Sequence, residues 1–572
     1  MFDDPAGAND YELAIVGGGI AGNMLAAAMA RHGVKTLVLE AGSHPKFAIG
    51  ESMILETSEI MRSLARVFDV PELEYFSAEH FLPAIGGSHG VKRHFSYLPH
   101  REGEPARGED AIQAVIPAQP YGHELHIYRQ DSDYFYAGVA VRYGAEVRQN
   151  ARVATVDIDG AGARIDLADG ASLTADYVVD AGGPGAIMAT SRGLRRSDMT
   201  TNTRALFTHM TGVKSIHTDG PSAAEYGAPF SLAEGTLHHV FEGGWMWIIP
   251  FNNHRDATNE FCSVGLVLDP RVHGPTPNVS PADEFAAFIA RYPDIARHLD
   301  GARPVRDWVR ADRLQYVARA VAGDRFCLLG HAAGFIDPLF SKGLYTSLSC
   351  VLSFGRAFLA ARAAGDYSRA RFADHEAQTQ RFVASNDRLV ANAIKSFSHA
   401  ELWRVYSVVW ILGAYLELVR LTTFRQSLLK RRRTAEERLA VAPPELRLVG
   451  GGYAPFDALA DEIDQTIEAL DVKDEAAVSD AVAKIRARIL GERWIPESHR
   501  AIARGARALP RNKFTWRLLF NKGGVLGPPD YRRHFFGDTS LVELAAFFAA
   551  ERVRYSRTAI ARRHRQRLRA AI

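Results

Sequence analysis

Tyr11-Glu-Leu-Ala-Ile-Val-Gly-Gly-Gly-Ile-Ala-Gly22 is an apolar run closed by a glycine-rich turn. Tyr11–Val16 reads as a buried strand, Gly17–Gly22 as a tight turn, and the alanine-rich Asn23–His32 as a helix. Val34–Leu39 follows as a second strand and ends at Glu40, about 20 residues beyond the turn. A lone G-x-G-x-x-G says little, but a strand before it, a helix after it and this acidic residue complete a dinucleotide-binding fingerprint. Gly17 permits the turn, Gly19 lets backbone approach a pyrophosphate, and Gly22 lets the helix pack closely. The helix start around Ala21 offers free N–H groups and the positive end of the dipole. Glu40 is placed to accept from ribose hydroxyls.

Further strand-to-turn units lie much later in the chain. Ala175–Asp180 runs into Ala181-Gly182-Gly183, and Arg325–Leu329 into Gly330-His331-Ala-Ala-Gly334. Gly182-Gly183-Pro184-Gly185 imitates a second fingerprint but lacks the acidic residue, so it reads as a return strand of the same domain. Between the returns, Leu237–Phe241, Trp245–Ile249 and Phe261–Leu268 alternate as half-buried antiparallel strands do. Beyond about residue 355 the pattern is helical. The expected fold class is α/β, a discontinuous Rossmann-like domain with an inserted antiparallel β-sheet and a helical C-terminal lobe. The nucleotide domain takes 1–202, with a loop region at 75–125, and returns at 315–360. The sheet takes 203–314 and the lobe 361–572.

Composition bounds the rest. The 572 residues allow about four units of roughly 150 residues, ample for a large core. With 68 Lys+Arg against 66 Asp+Glu, no overall field points to nucleic acid or an anionic membrane. Three cysteines without CxxC spacing fit neither a disulfide framework nor a metal site, and suit a reducing cytoplasm. Met1–Asn9 has no basic segment before an apolar run, so no signal peptide is expected. Val405–Leu416 is a dozen residues, short of the roughly 20 that span a bilayer, and reads as a buried helix. The eight arginines of Arg552–Arg569 and the run Lys430–Arg433 read as solvated helix faces.

Gly323-Asp324 through Gly330, followed by Asp337-Pro338, resembles the second FAD motif of the para-hydroxybenzoate hydroxylase-like superfamily, and Arg129 resembles its flavin-side arginine. Gly244-Trp245-Met-Trp247-Ile-Ile-Pro250 matches WxWxIP, and Phe335-Ile-Asp-Pro338-Leu-Phe-Ser341-Lys342-Gly343 matches FxxPxxSxG. With Gly50-Glu51-Ser52, these motifs make residues 10–360 resemble the flavin-dependent halogenases. The resemblance implies FAD, used as reduced FAD, and a chloride or bromide co-substrate. It implies cofactor contacts at Gly17, Gly19, Ala21, Gly22, Glu40, Gly50, Glu51, Ser52, Arg129, Val153, Asp337, Gly343 and Leu344. It places halide at the backbone N–H groups of Ser341, Lys342 and Gly343, where a glycine permits close approach and successive N–H groups make an anion nest.

On a strand Trp245 and Trp247 share a face, and in the family they part the flavin from the substrate. A lysine must then pass the halogen from hypohalous acid to an electron-rich carbon. The FxxK spacing of phenol and pyrrole halogenases would put it at Ala84, which fails; Lys92, near Phe95, is the best substitute. In an apolar tunnel its pKa would fall and its amine become reactive.

Departures narrow the class. Phe340 stands where halogenases of free tryptophan carry a glutamate, which argues for phenolic, pyrrolic or otherwise activated aromatics, free or tethered to a carrier protein. Leu55 replaces a motif proline, and His331 an aspartate. No second dinucleotide domain is evident, so a separate reductase is expected to supply reduced flavin. His123, His126, His94 and His100 lack zinc-ligand spacing and read as ordinary strand histidines; no GxSxG elbow suggests a hydrolase. A flavin monooxygenase on this scaffold and a flavin-binding interaction module remain alternatives.

Overall fold

The computed structural model describes residues 9–77, 85–116, 122–214, 227–429, 433–509, 527–537, 539–540 and 542–554. Ala84, most of Lys430–Arg433 and the arginine-rich tail beyond Arg554 lie outside them.

The opening strand β1 (Tyr11–Val16) is followed by helix α1 (Ile20–Arg31) and strand β2 (Thr36–Leu39). With β7 (Glu146–Arg148), β10 (Ser172–Asp180) and β15 (Phe326–Leu328), these strands form parallel pairs in the order β15-β10-β1-β2-β7. The late returns at 175–180 and 326–328 therefore enter the same sheet as the opening strand. A hairpin of β8 (Val153–Ile158) and β9 (Ala163–Leu167) extends it through β9 and β10.

The second sheet comes from β4 (His94–Pro99), β5 (Ile112–Val115), β11 (Arg204–Thr211), β12 (Thr236–Phe241), β13 (Gly244–Pro250) and β14 (Cys262–Leu268), in the order β11-β14-β13-β12-β4-β5. Two expectations need correction. The 75–125 segment is not only a loop region, because β4 and β5 belong to this sheet. Nor is the sheet wholly antiparallel: β12 pairs with β4 in parallel. Its alternation separates two cores. Trp245, Trp247 and Ile249 face the large core shared with the nucleotide sheet, while Met246 and Ile248 face a smaller one under α4 (Pro281–Ile289) and α5 (Pro293–Leu299).

Helix α2 (Leu55–Val67) joins the scaffold to the C-terminal lobe. Among the described residues the later helices include α6 (Gly343–Ala364), α7 (Ala373–Ser396), α8 (Ala400–Leu429), α9 (Ala454–Ala469), α10 (Glu475–Gly491) and α11 (Glu497–Ala503). The buried helix expected at Val405–Leu416 is longer, spanning all of α8. α6 and α8 have the length and apolarity of membrane spans, yet most of their residues are buried within the protein. α8 is buried on all sides, its Arg404, Glu417 and Arg425 included, as a helix enclosed by its own protein is. Arg425 of α8 donates to Glu59 of α2 at 2.6 Å, while Glu59 also meets Arg62 at 3.3 Å. These buried charges tie the lobe to α2, because separating either partner would leave an unpaired ion in the core.

Candidate active site

Gly17 adopts φ +108, and a Cβ there would lie 2.6 Å from Ala181 O. At Gly22 a Cβ would lie 2.2 Å from Gly17 O, so only glycine lets α1 approach the turn. Gly19 faces open space: a Cβ there would have an Asp133 oxygen, 4.0 Å away, as its nearest neighbour. Glu40 accepts from Gly18 N and Gly42 N, each at 2.9 Å, and pairs with Lys46. Burial raises its pKa and Lys46 with the two N–H groups lowers it, for a net fall, so the carboxylate stays ionised and keeps lone pairs for a ribose. An open glycine, a helix N-terminus and an ionised acid fit the adenosine and pyrophosphate portions of FAD. Val153 lies two residues beyond Ala151, whose N–H donates to Glu40 O at 2.9 Å.

Four of the expected cofactor residues, Arg129, Asp337, Glu51 and Ser52, spend polar groups on the protein. Arg129, at the start of helix α3 (Arg129–Arg142), grips Asp133 through Nε and Nη2, both at 2.8 Å, and donates to Ile49 O and Gly50 O. It thus shapes the Gly50-Glu51-Ser52 loop. Asp337 accepts from Thr203 Oγ1 at 2.9 Å and Leu339 N at 3.0 Å, and burial pushes its pKa up to about 7. Glu51 pairs with His209 of β11 at 2.6 Å.

Trp245 and Trp247 lie side by side, ring centroids 5.7 Å apart, and both are buried. Trp247 donates Nε1–H to Ser263 Oγ at 3.1 Å and lies across Gly265, where a Cβ would be 2.0 Å from Cζ2. Ser341 takes the left-handed φ of 55, and Lys342 follows in the right-handed region before α6 begins at Gly343. Alternating left and right conformations turn successive N–H groups to one side, the shape of an anion nest. Intrahelical bonding leaves the N–H groups of Gly343 and Leu344 without carbonyl partners. Lys342 donates from Nζ to Glu56 Oε1 at 2.6 Å, so its ammonium is already paired. His331 backs this helix start, its Nε2 2.9 Å from where a Gly343 Cβ would lie.

Lys92 ends strand β3 (Gly90–Lys92), opposite Glu124 of β6 (Glu124–His126). It is fully buried. Burial holds its amine well below the usual lysine range, opposed by Glu124 and Glu56, and the same burial raises Glu124 to about 8. Burial thus favours the uncharged form of both groups, the amine and the carboxyl.

The hydrogen bonds of Lys92 have a fixed direction. The Pro250 carbonyl, 2.8 Å from His126 Nδ1, can only accept, so Nδ1 carries the proton. Burial lowers His126 to about 3, so the ring is neutral and Nε2 accepts from Thr236 Oγ1 at 3.0 Å. The Thr236 hydroxyl is then committed, Ser52 must donate to it at 2.8 Å, and Ser52 Oγ accepts from Lys92 Nζ at 2.6 Å. The chain spends one Lys92 N–H, and in the uncharged form that burial favours the nitrogen keeps its lone pair. His126, read from sequence as an ordinary strand histidine, is a member of it; its signal was position, two residues from Glu124 on one strand.

A cavity lies beside these groups, lined by Glu56, Phe95, Phe340 and Lys342 and, from the lobe, by Trp410 and His499. Its roughly 70 Å³ admits several waters, each needing about 10–15 Å³ by this measure, so it is more than a packing gap. Phe340 stacks on Trp410 at 5.0 Å, an apolar pair where a glutamate would have been polar. Lys92 does not itself line the cavity. Its Nζ lies 3.3 Å from the Phe95 ring centre, behind that ring. Glu56 does, and sequence reading missed it because its only mark is a place five residues after Glu51.

A family model described as tryptophan halogenase matches residues 106–390, and one described as an NAD(P)-binding Rossmann-like domain matches 15–50. Tetracycline 7-halogenase of Kitasatospora aureofaciens is 37% identical over 492 residues, 85% of this chain and 87% of that protein. Monodechloroaminopyrrolnitrin halogenase PrnC of Pseudomonas fluorescens is 37% identical over 84% of this chain and 85% of its own. The crystal structure of halogenase PltM in complex with phloroglucinol and FAD superposes with a TM-score of 0.80 and 32% identity, covering 87% of this chain and all of PltM.

Proposed function

The chain belongs to the flavin-dependent halogenases, and on that premise we propose that it halogenates an electron-rich phenolic or pyrrolic ring with Lys92 as the residue that delivers the halogen. The observation that carries this reading is the fully buried Lys92 at the end of a one-way chain from Pro250 through His126, Thr236 and Ser52, which commits one of its N–H groups.

Reduced FAD, when bound, supplies with O2 the oxidising power that converts halide to hypohalous acid. Of the Ser341–Gly343 segment, the Ser341 N–H is spent on Pro338 O at 2.9 Å, so the backbone N–H groups of Lys342 and Gly343 hold the halide, and Trp245 and Trp247 keep the flavin side apart from the substrate side. The Lys92 amine takes up hypohalous acid and presents the halogen to the ring, reached once Phe95 turns aside. Glu56, in the cavity wall, accepts the proton the ring gives up; its pairing with Lys342 supports that role in place of the glutamate absent at Phe340. Reduced flavin comes from a separate reductase, a reading supported by the single strand–turn–helix fingerprint among the described residues.

The test is incubation with reduced FAD, O2, chloride or bromide and a panel of phenols and pyrroles, with halogen isotope patterns read by mass spectrometry. Oxygenated product without halogen, unchanged by Lys92→Ala, would favour the monooxygenase alternative, the reading that Phe95 over Lys92 keeps open.

A further inference from the structure

The cavity runs along α8. Trp410 marks one end, packed at 5.0 Å against both Phe95 and Phe340, with the Phe95 ring in contact with Lys92. Tyr415 lines it about 7.5 Å farther along the helix axis at 1.5 Å per residue, with its ring 5.7 Å from His499. His499 sits on α11, is 1% exposed and lines the cavity. Its Nδ1 lies 3.3 Å from Ser498 Oγ, while Nε2 is buried and meets no hydrogen-bond partner among the described residues. An unpaired buried nitrogen costs about 1–3 kcal/mol, a cost that a bound ligand would remove.

We propose that His499 is a binding residue for a ring hydroxyl, so that the enzyme prefers phenols to equally activated aromatics without one. This rests on the halogenase reading and adds a substrate class to it. Burial lowers His499 to about 3, so the ring meets its ligand neutral. Its Nε2 donates or accepts according to which tautomer Ser498 favours. A phenol hydroxyl does both and satisfies either tautomer, whereas an ether can only accept and a pyrrole N–H can only donate. Length agrees too. A hydrogen bond of about 2.8 Å plus one ring, roughly 4 Å from oxygen to the opposite carbon, brings that carbon about 7 Å away, toward the Trp410 end.

The experiment compares resorcinol with 1,3-dimethoxybenzene, rings of the same oxygen pattern that differ in the hydroxyl hydrogens, in the wild type, His499→Phe and His499→Gln supplied with reduced FAD, O2 and bromide. The wild type is expected to favour resorcinol in kcat/KM by about tenfold, the worth of one hydrogen bond. His499→Phe should lose that preference through KM, and His499→Gln should keep most of it. Equal treatment of both rings by the wild type, or an unchanged preference in His499→Phe, overturns the proposal. Resorcinol binding, followed by tryptophan fluorescence in flavin-free protein, separates the two failures. If no form halogenates anything but binding weakens about tenfold in His499→Phe, the hydroxyl site stands and the halogenase reading falls; if binding is unaffected by His499→Phe, the site falls.

Discussion

Lys342 Nζ lies 2.6 Å from Glu56 Oε1, and both side chains are almost wholly removed from water. Lys342 is thereby paired to the scaffold helix, so its ammonium is not free for another anion. Lys342→Met or Glu56→Gln alone should destabilise the protein by about 3–5 kcal/mol, since each strands a buried charge. The double variant Lys342→Met/Glu56→Leu should recover most of that loss. Urea unfolding of the three checks it, and the double variant should keep its halide KM within about twofold while losing kcat, because backbone N–H groups do not depend on the pair.

Lys92→Met should lower halogenated product by about 100-fold or more, the scale of a positioned proton-transfer or nucleophilic group. Flavin oxidation should continue, and hypohalous acid should leak to a 1,3-diketone scavenger. Phe95→Ala should do the reverse for bulky phenols, raising kcat/KM by uncovering the amine. A scavenger signal that disappears with Lys92 would contradict the assigned order of steps.

Glu124 makes a pH prediction about stability. Burial raises its folded-state pKa to about 8, above an unfolded value near 4.3. The folded state therefore holds a proton that the unfolded chain releases between those values, and stability falls as pH rises through that window. Glu124→Gln removes the titration, so the drop in Tm between pH 5.5 and 8 should shrink. An identical pH slope in the variant would mean that Glu124 is ionised when folded.

Gly265→Ala places a methyl where the Trp247 ring already lies, 2.0 Å from Cζ2. Overpacking of this kind costs about 1–3 kcal/mol. Halogenated product per reduced flavin consumed should also drop, because the displaced ring no longer closes the partition. Gly265→Ser should act alike, while Gly274→Ala, whose nearest neighbour is 3.9 Å away, should change neither quantity.

Much of this was legible in the chain. Strand alternation placed Trp245 and Trp247 on one face, and the glycine turn fixed the direction of α1, because both depend on neighbours a few residues apart. Ser341–Gly343 and Lys92 were also legible as candidates. The parallel β4–β12 pairing was not, since it joins strands about 140 residues apart and nothing in local alternation names a partner. Glu56, Thr236 and His126 were hidden for the same reason.

The sequence by itself determined the candidates: a dinucleotide cradle, two tryptophans on one strand face, the helix start at Ser341–Gly343 and Lys92. Only the tertiary structure decided how that lysine behaves. Its burial, the neutral His126 and the direction of the chain through Thr236 and Ser52 come from segments as far apart as residues 52 and 250. It also decided that the lobe, through Trp410 and His499, completes the cavity. Desolvation and hydrogen-bond direction belong to the packed surroundings of a group, and those surroundings exist only once distant segments have met.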